Sequence, residues 1–267
     1  MVDQSDIIFD VGAHKGEDSA FYLKLGYRVV AVEANPVLVR ELKERFKREI
    51  ANGTYTVIDK AIADGDGDVS FFVNEVRSVW STTDPAWAVR NERLGAQSHE
   101  ITVPSIRFAE ILQTYGCPHY LKIDIEGADM LCLRDLGMVT CRPKYLSMES
   151  SKTSWAELVA EFDALEQMGY TRFQVVDQFR HKAGTFRDRS NRDTPHTFDH
   201  GASGPFGSYL TGRWLSKRRA LRRYLPIFLT YKMIGDYSIW VRWLGRLPLL
   251  GKKLPRAHWY DTHAARD

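Results

Sequence analysis

Apolar residues in this chain come in short runs separated by amphipathic stretches, and the alternation predicts a repeating strand–helix order. Ile7 to Phe9 and Val29 to Val32 read as two buried strands. Between them lies a turn with Gly12 and Gly16, then a helix with Glu17 and Asp18 in its first turn and Gly26 at its C-terminal cap. Asn35 and Pro36 supply the N-cap and first-turn proline of a second helix reaching about Ala51, with Leu38, Leu42 and Phe46 on one face. Thr54 to Ile58 reads as the third strand. Asp64 to Asp68 alternates Asp and Gly and reads as a turn into a strand at Val69 to Val73, because it lacks the spaced acids and terminal Glu of an EF-hand. Ile101 to Ile106 predicts a strand, and Arg107 to Tyr115 a helix with Phe108, Ile111 and Leu112 inward.

Tyr120 to Ile125 alternates, with Leu121, Ile123 and Ile125 on one side and Lys122 and Asp124 on the other; a helix from Ala128 to Leu136 follows. Tyr145 to Met148, a helix from Trp155 to Met168 and Phe173 to Val176 extend the series, and Ser203 to Leu210 is the expected seventh strand. Two stretches break the rhythm. Glu75 to Ser98 is polar and irregular, with Trp80, Ser81, Thr82, Thr83 and Trp87; it reads equally as a sugar-facing loop or a disordered linker. Arg180 to Gly204 carries His181, His196 and His200, too widely spaced for a metal cluster, and reads as a mobile substrate-facing loop.

The first strand–turn–helix–strand unit has the chemistry of a nucleotide site. Glycines let backbone approach a ligand, and an acid at the tip of the second strand, Glu33, can accept from ribose hydroxyls. The pyrophosphate fingerprint needs a second close glycine, and His14 stands there instead. Asp10 beside the turn would repel phosphate and suit an ammonium. S-adenosylmethionine, with a ribose, a sulfonium and an ammonium, fits better than a dinucleotide.

The segments DVGAHKG (Asp10 to Gly16), VEANP (Val32 to Pro36) and YLKIDIEGAD (Tyr120 to Asp129) together resemble the FkbM family of S-adenosylmethionine-dependent methyltransferases, over roughly Ile7 to Ser150. The resemblance implies a class I methyltransferase fold. This is a Rossmann-like, doubly wound α/β sheet, mostly parallel with an antiparallel edge strand. It also implies methylation of a hydroxyl, often on a sugar or a macrolide-type product. The expected cofactor set is Asp10, Gly12, Ala13, His14, Gly16, Ser19, Glu33, Ala34, Asp59, Ala61 and Asp124. Asp59, at the third strand tip, either accepts from the adenine amino group or is a solvated strand end.

For transfer to a hydroxyl the expected catalytic group is Asp124, Glu126 and Glu149, with Lys122 orienting or balancing charge. Crowding should raise at least one of the carboxylates. The same acids could hold a divalent cation, or Asp124 and Glu126 could simply cap the next helix and bind cofactor. Base catalysis without a metal is the favoured reading, and no metal ligands are assigned.

Charge changes the picture of the C-terminal part. From Arg213 to Arg256 there are twelve Lys and Arg against one acid, Asp236, while the rest of the chain holds 25 bases and 33 acids. The predicted organisation is therefore a methyltransferase domain over 1–212 and a basic helical C-terminal extension over 213–267. Arg218, Arg219, Arg222 and Arg223 form a cationic ridge. Further on, Ile239, Trp240, Trp243, Leu244 and Leu247 share one helical face, with Arg242 and Arg246 on another. A lid docked on the acidic core is expected first, contact with an anionic membrane surface second, and nucleic acid last. Cys117, Cys132 and Cys141, without C-x-x-C spacing, read as free thiols. With MVDQSDII lacking a leader's features, they lead to an expected cytoplasmic location, with the tail allowing peripheral contact at the inner face of the membrane.

The expected activity is thus O-methyl transfer to a sugar, glycan or glycosylated natural product, with a sugar or glycan acceptor, either free or lipid-linked. A nicotinamide-dependent oxidoreductase and a membrane-surface binding module retaining the cofactor fold are the rivals.

Overall fold

The computed structural model describes residues 6–152, 154–181, 183–199, 201–234 and 259–266. Its main sheet has seven strands: β1 (Ile7–Val11), β2 (Arg28–Val32), β3 (Tyr55–Ile58), β7 (Tyr120–Ile123), β8 (Tyr145–Glu149), β9 (Arg172–Asp177) and β12 (Tyr260–Ala265). They lie in the order β3-β2-β1-β7-β8-β12-β9, all parallel except β12, which runs against both neighbours. This is the class I methyltransferase architecture. The reversed strand lies one place in from the edge, with β9 outside it.

Helices cover both faces: α1 (Glu17–Lys24), α2 (Pro36–Arg45), α3 (Lys47–Ala51), α4 (Pro85–Arg93), α5 (Phe108–Tyr115), α6 (Asp129–Met138), α7 (Trp155–Gln167) and α8 (Lys217–Ile234). The pleat of β1 sorts its side chains. Ile7, Phe9 and Val11 join a core with Phe108, Leu133, Leu136 and Phe162, while Ile8 joins the opposite core with Phe21, Tyr22 and Phe206. Burying each such side chain stabilises the fold by about 1.5–3 kcal/mol. Asp10 falls on the second face and is fully buried, so it needs a counter-ion there.

The strands expected at Val69 to Val73 and Ile101 to Ile106 form, and they stand outside the main sheet. β5 (Gly67–Asn74) and β6 (Ser98–Ile106) form a smaller sheet with β4 (Ala61–Ile62). Other expectations are corrected. The predicted second helix breaks into α2 and α3 around Phe46, whose φ of −107° is not helical. Glu75 to Ser98 is ordered, with a 3₁₀ turn at Ser78–Trp80 and α4 started by Asp84, whose side chain accepts from Ala86 N. Part of Arg180 to Gly204 is a hairpin of β10 (Ala183–Arg187) and β11 (Asp193–Thr197). His181 and His196 stand on this excursion, and His200 lies outside the described residues.

Ser203 to Leu210 holds a 3₁₀ turn at Gly207–Tyr209 rather than the seventh strand; β12 takes that place. The division at 212/213 therefore does not separate two bodies. α8 buries Ala220 and Tyr224 in the main core, and β12 is an interior strand of the sheet. The stretch containing Ile239, Trp240, Arg242, Trp243, Leu244, Arg246 and Leu247 lies outside the described residues.

Cys117 and Cys141 are joined in a disulfide, with Cα atoms 5.3 Å apart, and Cys132 is free and buried. The reading of three free thiols is corrected, and the cysteine argument for a reducing compartment goes with it. The two partners follow the C-terminal ends of α5 and α6, which pack side by side.

Candidate active site

The tips of β1, β2 and β7 meet in one place because their registers align Val11 with Val32 and with Ile123. The chain leaves β1 through Gly12 at φ +85°, where a Cβ would overlap the carbonyl oxygen of Asp124. Only glycine permits this approach. The Gly12 and Ala13 amides both donate to Val32 O at 3.0 Å. His14 follows at φ +49°; its amide donates to Glu33 Oε2 at 2.9 Å, and Asn35 N donates to Glu33 Oε1 at 2.8 Å. Glu33 thus ties the turn after β1 to the end of β2. Burial pushes its carboxyl up to about 7, against the pull of the Asn35 and His14 amides.

Beneath this turn lies a buried ion cluster. Lys122 Nζ is 3.2 Å from Asp10 Oδ1 and 3.2 Å from Gly12 O. It also reaches Asp18 at 3.5 Å and Asp124 at 3.6 Å. Burial alone would lower the lysine, but Asp10, Asp124 and Asp18 outweigh it and hold the ammonium well above its ordinary value. Asp10 also accepts from Ser19 Oγ at 2.6 Å, and Asp18 accepts from the Ser203 amide at 3.0 Å.

A cleft opens over the strand tips, lined by Gly12, His14, Glu33, Ala34, Ala61 and Asp124 from the expected cofactor set. The remaining members sit elsewhere. Asp10, Ala13 and Ser19 are buried below the turn. Gly16 caps α1 at φ +76°, where a Cβ would strike the Phe46 ring. Asp59 is turned to solvent and pairs with Lys43 at 2.9 Å. β3 ends one residue before it, so its side chain leaves the cleft and Lys60 and Ala61 line it instead. Lys122, expected to orient or to balance charge, is the buried counter-ion of Asp10, Asp18 and Asp124, because the pleat turns it inward.

Glu126 and Glu149 line the far end of this cleft and also line a second cavity, shared with Trp259. That cavity is bounded by Trp80, Trp87, Lys152, Tyr231 and Glu161. Burial, then Glu149 and Asp124, push Glu126 well above the carboxylate range, and burial also raises Asp124. Glu126 adopts φ +41° in the turn after β7, and its carbonyl accepts from Thr82 Oγ1 at 2.6 Å. The segment from Ser78 to Arg90 therefore lies over both spaces. Ser78, Val79, Ser81 and Thr83 face the cleft, and Trp80, Trp87 and Arg90 the cavity. His14 Nε2 is 2.7 Å from Ser78 Oγ, closing the strap over the turn.

Four residues come to the site without having been expected there. Gln178 and Trp259 line the cleft. Asp261 pairs in register with Glu149, and Gln178 Nε2 donates to it at 2.8 Å. Burial, with Asp124 and Glu149 behind it, pushes Asp261 up to about 8. Asp129, at the start of α6, accepts from Ile125 N at 3.3 Å and is raised to about 7 by burial. Of these only Asp129 carried a sequence signal, the acid closing the YLKIDIEGAD segment. Among the described residues no group of three His, Cys, Asp or Glu side chains is disposed to hold a metal ion.

A family model for the methyltransferase FkbM domain matches residues 10–172, more than half of the chain. The chain belongs to the FkbM methyltransferase family. No curated protein matches it. Among solved structures, an FkbM methyltransferase from Methylobacillus flagellatus KT is similar at 16% identity. The match covers 72% of this chain and 43% of that chain, with a TM-score of 0.41. A precorrin-6y C5,15-methyltransferase from Geobacter metallireducens GS-15 is similar at 15% identity, covering 73% and 76%, with a TM-score of 0.37. A methyltransferase from Thiobacillus denitrificans, solved with S-adenosyl-L-homocysteine, is similar at 9% identity, covering 98% and 86%, with a TM-score of 0.37. This FkbM methyltransferase thus spans less than half the length of the first of these.

The cleft suits an S-adenosylmethionine-type ligand on its own chemistry. Gly12 lines the cleft, and Glu33 presents a buried carboxylate whose two oxygens accept from the His14 and Asn35 amides. A carboxylate oxygen can accept more than one bond, so capacity for hydroxyl donors remains.

Proposed function

We propose that this FkbM methyltransferase transfers a methyl group from S-adenosylmethionine to a hydroxyl of a sugar or glycan. The observation that carries the reading is that Glu126 and Glu149 line both the cofactor cleft and the adjoining cavity. A group accepting a methyl would pass between those two spaces, and the acids stand at the crossing.

S-adenosylmethionine, when bound, supplies a methyl on a cationic sulfur. Gly12, His14, Glu33, Ala34 and Ala61 would hold it, with Glu33 accepting from ribose hydroxyls. Glu126 accepts the proton of the acceptor hydroxyl as its oxygen becomes the nucleophile. The raised affinity of Glu126 for a proton brings it closer to that task than an ordinary carboxylate. Glu149 and Lys152 form an ion pair beside it, which limits the negative charge that builds up there. Trp80, Trp87 and Trp259 offer flat apolar faces, and Ser151 and Asp84 offer polar edges. That combination matches a sugar ring, which is apolar on its faces and polar at its rim. An acceptor carried on a lipid falls within this reading.

The test incubates the purified protein with methyl-labelled S-adenosylmethionine and a panel of neutral glycosides, followed by mass spectrometry of the product. Label on a sugar oxygen is expected. Label on nitrogen, or no binding of S-adenosylhomocysteine by calorimetry, would sink the proposal.

A further inference from the structure

The exposed face of α8 carries two kinds of side chain that no neighbour uses. Arg218, Arg219, Arg222 and Arg223 all stand in solvent. Among the described residues none of the four has a carboxylate partner. The nearby acids Asp163 and Glu166 are taken by Lys217, at 2.7 Å for Glu166. One turn further, Leu225 and Leu229 are 48% and 61% exposed. At 100° per residue Arg218, Arg222, Leu225 and Leu229 fall on one stripe, with Arg219 and Arg223 on the exposed flank roughly 90° or more around from it. The opposite face, through Ala220 and Tyr224, is buried in the core. The helix is therefore anchored, and its outer stripe is fixed in orientation.

We infer that this stripe docks on an anionic lipid surface. Four guanidinium groups without a carboxylate partner among the described residues, two on the stripe and two on its flank, call for a field of negative charge, and two exposed leucines on the line of Arg218 and Arg222 call for an apolar layer just behind it. A bilayer with anionic headgroups offers both at that spacing. A nucleic acid would meet the arginines and leave the leucines wet. The sequence that follows points the same way: residues 235–258 add Arg242, Arg246, Lys252, Lys253 and Arg256 with one acid, Asp236. Tyr231, two residues past Leu229, lines the cavity assigned above to the acceptor. One helix therefore carries the lipid-facing stripe and, on its opposite face, a wall of that cavity.

The test uses the full chain in co-sedimentation with vesicles of phosphatidylcholine alone and of phosphatidylcholine with phosphatidylglycerol. Binding is expected only with the anionic vesicles, weakening as salt rises because screening shortens the field. Reversing Arg218, Arg219, Arg222 and Arg223 to Glu should lower vesicle affinity by at least about tenfold, with an unchanged melting temperature. Leu225→Ser with Leu229→Ser, which keeps the charge, should also weaken it. Four results would each overturn the inference. These are no binding by the natural chain, equal binding to neutral vesicles, undiminished binding by the charge-reversed variant, and tighter binding to a short RNA duplex that displaces the vesicles. Vesicle binding needs no turnover, so its failure is distinct from failure of the methyl-transfer reading.

Discussion

Glu33 and Glu126 line one cleft, Glu33 buried and Glu126 half-buried, both raised, and they are held in opposite ways. At Glu33 the two backbone amides of His14 and Asn35 pull the carboxyl back toward its ionised form. At Glu126 the next influences after burial are Glu149 and Asp124, which push it further up. An acid fixed by backbone amides is suited to gripping a ligand, since its position and charge are both specified. An acid crowded by like charges is suited to taking a proton, since the proton relieves the repulsion. Under the proposed function the same residue type would do two jobs, decided by what surrounds it.

The sharpest way to break this comparison is Glu126→Gln, which keeps the shape and removes the base. We expect kcat to fall by about 10²–10⁴-fold, with S-adenosylhomocysteine affinity by calorimetry nearly unchanged. In the natural enzyme kcat/KM should climb with pH through a point above the ordinary carboxylate range, because the ionised form is the active one; in the variant that limb should vanish. A variant that keeps it would assign the base elsewhere.

Gly12→Ala tests whether the two ends depend on one close approach of backbone. A φ of +85° and the overlap with Asp124 O should cost about 2–4 kcal/mol of stability, read by denaturant melts, along with cofactor binding. A stable, fully binding variant would show that the turn has room to move.

Glu33→Ala should weaken cofactor binding by about 1.5–3 kcal/mol while leaving kcat at saturating cofactor within a few fold. The reverse pattern would erase the contrast with Glu126.

Asp261→Asn is expected to have the smallest effect on turnover. With a folded pKa of about 8 against an ordinary 3.8, the contribution of Asp261 to stability is fully present below 3.8 and is lost as pH rises from there through about 8. The natural protein should therefore lose more melting temperature between pH 5 and 9 than the variant does. Between pH 5 and 8 the loss is about 4 kcal/mol at about 1.36 kcal/mol per unit, on the order of ten degrees in a chain of this size. Identical slopes would remove Asp261 from the crowded group.

The Glu33 end was legible in the sequence and the Glu126 end only in part, for a physical reason. Gly12, His14, Glu33 and Asn35 act on one another within one strand–helix–strand unit, so spacing alone brings them together. Asp124, Glu126 and Glu149 were legible as strand-tip acids. Asp261 and Trp259 were not, because they arrive on β12, whose YDTHAA sequence lacks an apolar run and whose polar Asp261, Thr262 and His263 are nonetheless buried. The depth at which Lys122 sits was not legible, because alternation gives a side of the sheet and says nothing of burial. Asp84 and Pro85 repeat the signal of Asn35 and Pro36, and would have marked α4 inside the stretch read as irregular. The pairing of Cys117 with Cys141 depends on how α5 and α6 pack, which spacing does not reveal.

The reversed strand also imposes an order of events on the nascent polypeptide. β8 and β9 are made well before residues 260–265 leave the ribosome, yet neither can saturate its inner row of amides and carbonyls until that segment slides between them. Residues 260–265 must therefore insert between strands made earlier, and the wall of the second cavity bearing Trp259 is finished only when that slot fills. Chaperone capture, proteolysis or mispairing at that slot would be the characteristic hazards of making this enzyme.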